Sequence, residues 1–276
     1  MNTSLNIVIF SKDRACQLDL LLVSMKKMFA EYRHCTIAVL YTTSGKAFEQ
    51  GYKILKKSHK NIDFINERDF KKDLLLQIQP ENYYTVFFVD DIVWKEPFTV
   101  NCDELKLLKN DPDILCLSLR LDSNLTYCYA YDTNMKTPAF DHKRRWYWRD
   151  EDGDFGYPMS LDGHIFRTHE IYPLLLNLPY HNPNSLEGTL SIHPLKSKKM
   201  ICLQKAPIFN IPINKVQKYN TNRHGDVSAE YLNKMFLSGH RILYKPFIGF
   251  RNYACHQEVD VTLKNSFFNI IKNLLS

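Results

Sequence analysis

At 276 residues the chain suits one large domain with a substantial core, and 45% hydrophobic against 24% charged residues excludes a disordered polyelectrolyte. A formal net charge of +6 favours anionic ligands or an anionic membrane surface without demanding nucleic acid, and 13% aromatic residues fit stacking surfaces for sugars or bases. The seven cysteines are scattered and odd in number and lack CxxC spacing, which argues against a disulfide framework or zinc site and for a reducing cytosol.

The opening MNTSLNIVIFSKDR lacks the basic-then-apolar design of a signal peptide. No stretch approaches the ~20 apolar residues of a membrane-spanning helix. A soluble cytoplasmic protein is therefore expected, with the sequon at Asn124 unused.

LNIVIFS reads as a strand, and residues 14–29 read as a helix with Leu18, Leu21, Leu22, Met25 and Met28 on one face. TIAVLYTT is a second strand, followed by a helix over 47–57. IDFINE is a short third strand, followed by a helix over 70–79 that Pro80 ends. TVFFVDD and ILCLSLRL, residues 114–121, are two further buried strands. This alternation predicts a mostly parallel, three-layer α/β sheet.

The second half is less regular. Residues 122–158 read as polar, aromatic loop. MSLDGHIF is a strand or strand-to-helix junction, SLEGTLSIHPL begins as a short helix, and VSAEYLNKMFLSGHRI is a helix capped by Ser228 and ended by Gly239. Residues 262–276 place Leu263, Phe267, Ile270, Ile271, Leu274 and Leu275 at helical spacing, with Lys264 and Lys272 on polar positions. Such a helix packs on the body or anchors on a membrane surface. Without repeats or a Gly/Ser linker, residues 1–276 read as one continuous domain.

The stretch VFFVDDIVW runs a buried strand straight into Asp90 and Asp91. Adjacent carboxylates repel each other and are costly to desolvate unless a cation or donors meet them. Either the strand ends in a solvated turn, or the pair marks a metal site at the carboxyl end of a central strand, where open α/β sheets bind ligands. Glycine usage narrows the chemistry: there are nine glycines, no GxGxxG or GxxxxGK follows a strand, and the first βα turn, FSKDRACQL, has none. Dinucleotide-binding and P-loop folds need such glycines to bring backbone amides against phosphate, so both are excluded. A diphosphate ligand would then be met by cationic side chains and a hard cation on carboxylates, Mg²⁺ or Mn²⁺.

The motifs IVIFSKDRACQLDLLL, VLYTTS, FFVDDI, YPMSLDGHIF and NPNSLEG, in that order, resemble GT-A-type glycosyltransferases, in particular family-2-like bacterial sugar transferases, over most of the chain. The resemblance implies a GT-A-like α/β/α sandwich with a mostly parallel central sheet and an elaborated C-terminal half. Residues 1–121 would form the nucleotide-binding half, 122–260 the acceptor-binding and catalytic half, and 261–276 the C-terminal amphipathic helix. It implies transfer, with inversion, of a sugar from a UDP- or GDP-sugar to a glycan or lipid-linked acceptor in polysaccharide biosynthesis. The setting would be cytoplasmic, with peripheral contact at the membrane inner face through the C-terminal helix.

In that family a DxD-type motif ends a central strand and holds the Mn²⁺ or Mg²⁺ that bridges the donor diphosphate. Here it reads Val89-Asp90-Asp91, which leaves Asp91 as the expected metal ligand and Asp90 on the ribose or the metal's waters. His224 or His256 would complete the metal shell. Ser11, Lys12, Asp13 and Arg14 match positions that hold the nucleotide, although Ser11 or Asp13 could equally cap the following helix. Thr42, Thr43 and Ser44 would border the base. Inversion needs one base for the acceptor hydroxyl. Glu187 of NPNSLEG is preferred, although Asn184-x-x-Glu187 also fits a capping box. Asp162 of SLDGH would bind sugar hydroxyls or serve as the base instead, with Gly163 opening the backbone to a sugar. Arg120 suits diphosphate or sugar recognition, or else pairs with Asp122.

In KRRWYWRDEDGDFG, the acids Asp150, Asp152 and Asp154 do not make a calcium loop, because Phe155 and Leu161 stand where glycine and glutamate are required. The segment is either a lid with Trp146 and Trp148 stacking on sugar or a charged surface loop. A nucleotidyltransferase is the alternative enzyme, yet it would carry a glycine- and arginine-rich first loop. A non-catalytic carbohydrate- or nucleic-acid-binding module would gather its basic charge on one face among aromatics, and only residues 143–149 do so.

Overall fold

The computed structural model describes residues 5–216 and 223–265. Its first half runs β1 (Leu5–Lys12), α1 (Ala15–Met28), β2 (Thr36–Thr42), α2 (Lys46–Ser58), β3 (Asp63–Asn66), α3 (Phe70–Gln77), β4 (Tyr84–Val89), β5 (Ile92–Trp94), α4 (Asp103–Asn110) and β6 (Ile114–Ser118). Short strands β7 (Tyr127–Cys128), β8 (Thr133–Asn134) and β9 (Arg145–Tyr147) follow. The remainder is β10 (His164–Arg167), α5 (Thr168–Asn177), α6 (Pro183–Ile192), β11 (Lys199–Cys202), β12 (Ile208–Asn210), α7 (Ala229–Leu237), β13 (His240–Ile242) and β14 (Leu263–Asn265).

Eight strands form one sheet in the order β3-β2-β1-β4-β10-β6-β11-β9. Strands β1, β2, β3 and β4 are mutually parallel, as are β6 and β11, whereas β10 and β9 run against their neighbours. The expected α/β class and mostly parallel sheet are thus present. Alternation along each strand divides the core into two layers. Ile7 and Ile9 of β1, Val86 and Phe88 of β4 and Ile165 of β10 meet α1, α2, α4 and α7 on one face. Val8, Phe10, Phe87 and Phe166 meet α3, α5 and α6 on the other.

Four segments differ from the expectation. Trp146 lies on edge strand β9 and is 3% exposed, with its indole N–H donating to the Phe155 carbonyl at 3.0 Å. Trp148 is buried too and donates to the Ser197 carbonyl at 2.9 Å. The two tryptophans therefore do not stack on a ligand but close the second core layer, while Lys143, Arg149, Asp150 and Asp152 of the same segment lie exposed. Leu263–Asn265 pair antiparallel with β13, so the chain is extended there rather than helical; residues 266–276 of the expected C-terminal helix lie outside the described residues. Helix α5 contains Pro173, a residue that disguises a helix in sequence, and α4 spans only eight residues. Among the described residues no helix is long and apolar enough to cross a membrane.

Gly163 holds the turn into β10 at φ +79°, and a Cβ built there would overlap Ile208 Cδ1. Its small size is used for packing between β10 and β12. Gly163→Ala should destabilise the fold by about 2–4 kcal/mol in urea denaturation, combining left-handed strain with overpacking. Adding Ile208→Val should recover the packing part.

Candidate active site

The parallel strands end on one edge, and the chemistry gathers there. Asp90, 3% exposed, follows β4. Its Oδ2 accepts from Ser11 Oγ at 2.9 Å and the Lys12 backbone N–H at 3.1 Å, and its Oδ1 accepts from Arg14 Nη1 at 3.0 Å. Burial pushes the Asp90 carboxyl up, opposed by Arg14 and these donors. Asp90 is thus not in a solvated turn: its bonds to Ser11, Lys12 and Arg14 lock the end of β4 to the end of β1.

Asp91 is held more loosely, accepting from Asn210 Nδ2 at 3.0 Å and from Arg14 Nη1 at 3.4 Å. Burial, reinforced by the charges of Asp90 and Asp162 and opposed by Arg14, pushes its carboxyl up to about 6.

The turn after β1 depends on Asp13, which adopts φ +57°, a left-handed conformation that aspartate tolerates better than most residues. Its Oδ1 accepts from the Ser44 backbone N–H at 2.7 Å, which ties the end of β1 to the loop after β2. The helix cap of α1 is Arg14, with no side-chain capping bond, so neither Ser11 nor Asp13 caps the helix. Arg14 also donates through Nε to Asn214 Oδ1 at 2.9 Å and through Nη2 to the Asn214 carbonyl.

A second group of acids reaches the same edge from β10. Because β10 is antiparallel to β4 and β6, its leading residues lie at their carboxyl ends, where Gly163 N–H donates to the Phe87 carbonyl at 2.8 Å. Arg120, 2% exposed, donates to Asp162 Oδ2 at 3.2 Å and Asp154 Oδ1 at 3.1 Å. It therefore pairs with these two acids rather than with Asp122, whose carboxylate accepts from the backbone of Asn124 and Ala206. Its guanidinium is committed to the protein's own acids, with Nε buried and unpaired among the described residues.

His256 Nε2 lies 3.2 Å from Asp162 Oδ2. Burial opposes ionisation of Asp162, but the His256 hydrogen bond and the His256 and Arg120 charges prevail and hold it below the usual carboxylate range. His256 shifts the opposite way: burial lowers it, and the bond to Asp162 raises it further.

Glu187 Oε1 accepts from the Leu161 backbone N–H at 3.0 Å. Burial and the neighbouring Asp162 charge push its carboxyl up. The capping box of α6 is formed by Asn182 and Ser185, two residues before the pair read from sequence, which leaves Glu187 available to the Asp162 cluster.

Two adjoining clefts open on this edge and share Lys12 and Val216. One, of about 340 Å³, is lined by Phe10, Leu40, Thr42, Glu67, Asp90 and the start of α6. The other, of about 530 Å³, is lined by Asp13, Ser44, Asn214, His224 and the start of α7. His224 is exposed, with Nδ1 2.7 Å from the Gly225 carbonyl, so the two histidines do not meet. Among the described residues no three His, Cys, Asp or Glu side chains gather as a ready-made metal cage. Asn210, Asn214, Asp154 and Tyr52, whose hydroxyl is 2.6 Å from Ser11 Oγ, also belong to the site and were not identified from sequence. Asn210 alone left a trace, a polar residue inside the apolar run IFNIPI.

No family model matches the chain. It is similar to the bifunctional glycosyltransferase pgtA of Dictyostelium discoideum, with 26% identity over 256 residues, covering 79% of this chain and 33% of that protein. The chain thus spans about a third of the length of that relative. Among solved structures, S. aureus TarS overlaps 75% of this chain and 36% of its own, with TM-score 0.48 and 11% identity. The Pyrobaculum calidifontis mannosyltransferase PcManGT, in complex with GDP-Man and Mn²⁺, overlaps 74% and 55%, with TM-score 0.43 and 10% identity.

Replacing Arg120 would strand two buried carboxylates. Arg120→Met, which keeps the length of the side chain, should lower unfolding free energy by about 3–5 kcal/mol in urea denaturation. Unchanged stability would show that Asp154 and Asp162 do not depend on it.

Proposed function

We propose that the chain is a GT-A-type glycosyltransferase moving a sugar from a nucleotide-diphosphate donor to a glycan or lipid-linked acceptor at the cytosolic face of a membrane, with inversion and a divalent cation. The observation that carries this reading is the meeting of two acid groups on one sheet edge beside a glycine-free cleft: Asp90 and Asp91 after β4, Asp162 and Glu187 around the start of β10. The similarity to the Dictyostelium glycosyltransferase supports the same class.

The donor's nucleoside would occupy the cleft over Phe10 and Leu40, with Lys12, which borders both clefts, toward the phosphates. A hard cation fits the charge balance, since among the described residues five acids, Asp90, Asp91, Asp154, Asp162 and Glu187, gather around two paired guanidiniums, Arg14 and Arg120. Asp91, the more loosely held acid of the strand-end pair, would hold Mn²⁺ or Mg²⁺, with the His256 imidazole a further donor. When bound, the ion would neutralise charge developing on the departing diphosphate. Asp90 would keep Arg14 and the first loop in place for the nucleotide.

Glu187 would act as the base. The acceptor oxygen attacks the anomeric carbon, the bond to the diphosphate oxygen breaks, and the acceptor proton passes to the Glu187 carboxylate. A raised pKa suits this task by bringing the base nearer the working pH. Asp162, held ionised by Arg120 and His256, would accept from sugar hydroxyls.

Asp91→Ala should abolish turnover and Mn²⁺-dependent nucleotide binding, measured by calorimetry with and without EDTA; persistent Mn²⁺-dependent binding would remove the metal role. Glu187→Gln should leave donor binding within a few-fold and cut transfer by about 10²-fold or more. The wild-type acid limb should lie above the ordinary glutamate value, since the base works deprotonated, and that limb should vanish in the variant. Near-normal transfer by Glu187→Gln would move the base to Asp162.

A further inference from the structure

We propose that Glu67 reads the nucleobase and that the donor is a guanosine diphosphate sugar; this rests on the transferase reading above and names its substrate class. Glu67 follows β3, and its backbone N–H donates to the Tyr41 carbonyl of β2 at 3.0 Å, which fixes the residue to the sheet end. Its side chain is half-buried and lines the 340 Å³ cleft, where Phe10, Leu40 and Val89 give apolar surface for a base to lie against amid polar neighbours such as Thr42 and Asn182.

Among the described residues its carboxylate accepts no hydrogen bond. The donors next along the chain are taken, since Arg68 N–H and Asp69 N–H go to Asp73 Oδ2 at 2.7 and 3.1 Å. The other carboxylate lining the cleft, Asp90, is already bound by Ser11, Lys12 and Arg14. Burial and the Asp73 charge push the Glu67 carboxyl up, with Lys12 opposing, as for a carboxylate short of donors.

Donor patterns decide which base would satisfy it. Guanine presents N1–H and N2–H side by side, a match for the two oxygens of one carboxylate. Uracil offers a single N3–H flanked by two carbonyl oxygens, which would face the carboxylate oxygens repulsively. Cytosine and adenine each place an amino donor beside a ring-nitrogen acceptor and make one bond.

Calorimetry on the full chain in Mn²⁺ buffer, with GDP, IDP and UDP, tests this. Inosine lacks the 2-amino group, so wild-type protein should bind IDP about tenfold more weakly than GDP, a difference of ~1.4 kcal/mol. Glu67→Gln should weaken GDP by about tenfold or more, erase the GDP–IDP difference and leave UDP within a few-fold. The wild-type GDP–IDP comparison needs no variant, so a poorly folding Glu67→Gln does not leave the matter open. Tighter UDP than GDP in the wild type, equal GDP and IDP, or undiminished GDP binding by a folded Glu67→Gln overturns the base assignment alone. Binding of none of the three diphosphates overturns the transferase reading with it.

Discussion

Strand β10 enters the sheet between β4 and β6 against the direction of both. A parallel strand in that slot would bring Arg167, its last residue, to the edge where β1, β2 and β4 end, and would carry Asp162 to the far side. The reversal instead places residues 160–163 beside Asp90 and Asp91 and leaves Arg167 anchoring the opposite end, where it donates to the Ile114 carbonyl at 2.7 Å. Carboxylates from distant parts of the chain therefore converge, and among the described residues they outnumber the guanidiniums paired with them. Arg120 and Arg14 hold that excess together, and their burial makes each arrangement geometrically unforgiving. A site kept in electrostatic debt is suited to a ligand that brings positive charge or hydrogen-bond donors.

What the sequence revealed follows from which forces are local. The β-α alternation was legible because each apolar run carries its own period, and the boundaries of α1, α2 and α3 fall within two residues of expectation. Asp90 and Asp91 were legible because two charges ending a buried strand are anomalous. Their division of labour was not, since Asn210 stands 119 residues from Asp91 and Asn214 stands 200 from Arg14. Aromatic density among charges made residues 143–156 look like a loop, whereas the Trp146 and Phe155 rings meet edge-on at 5.7 Å inside the core. Two overlapping patterns competed at α6, and Pro183 in the first turn favours the earlier cap at Asn182. Glu67 left no sequence signal at all, because a lone acid after a short strand is ordinary.

The two halves of the edge rest on different foundations. Asp90, Asp162 and Arg120 hang from β4, β10 and β6, strands paired on both sides and enclosed by helices on both faces. Glu67 hangs from β3, four residues long, paired among the described residues only with β2 and half-exposed along its length. Substitutions in the central strands disturb two ladders and two core layers at once; substitutions at the end of β3 disturb one. The acids proposed for chemistry are thus set where a substitution disturbs most of the fold, and the acid proposed to read the base is set where it disturbs least.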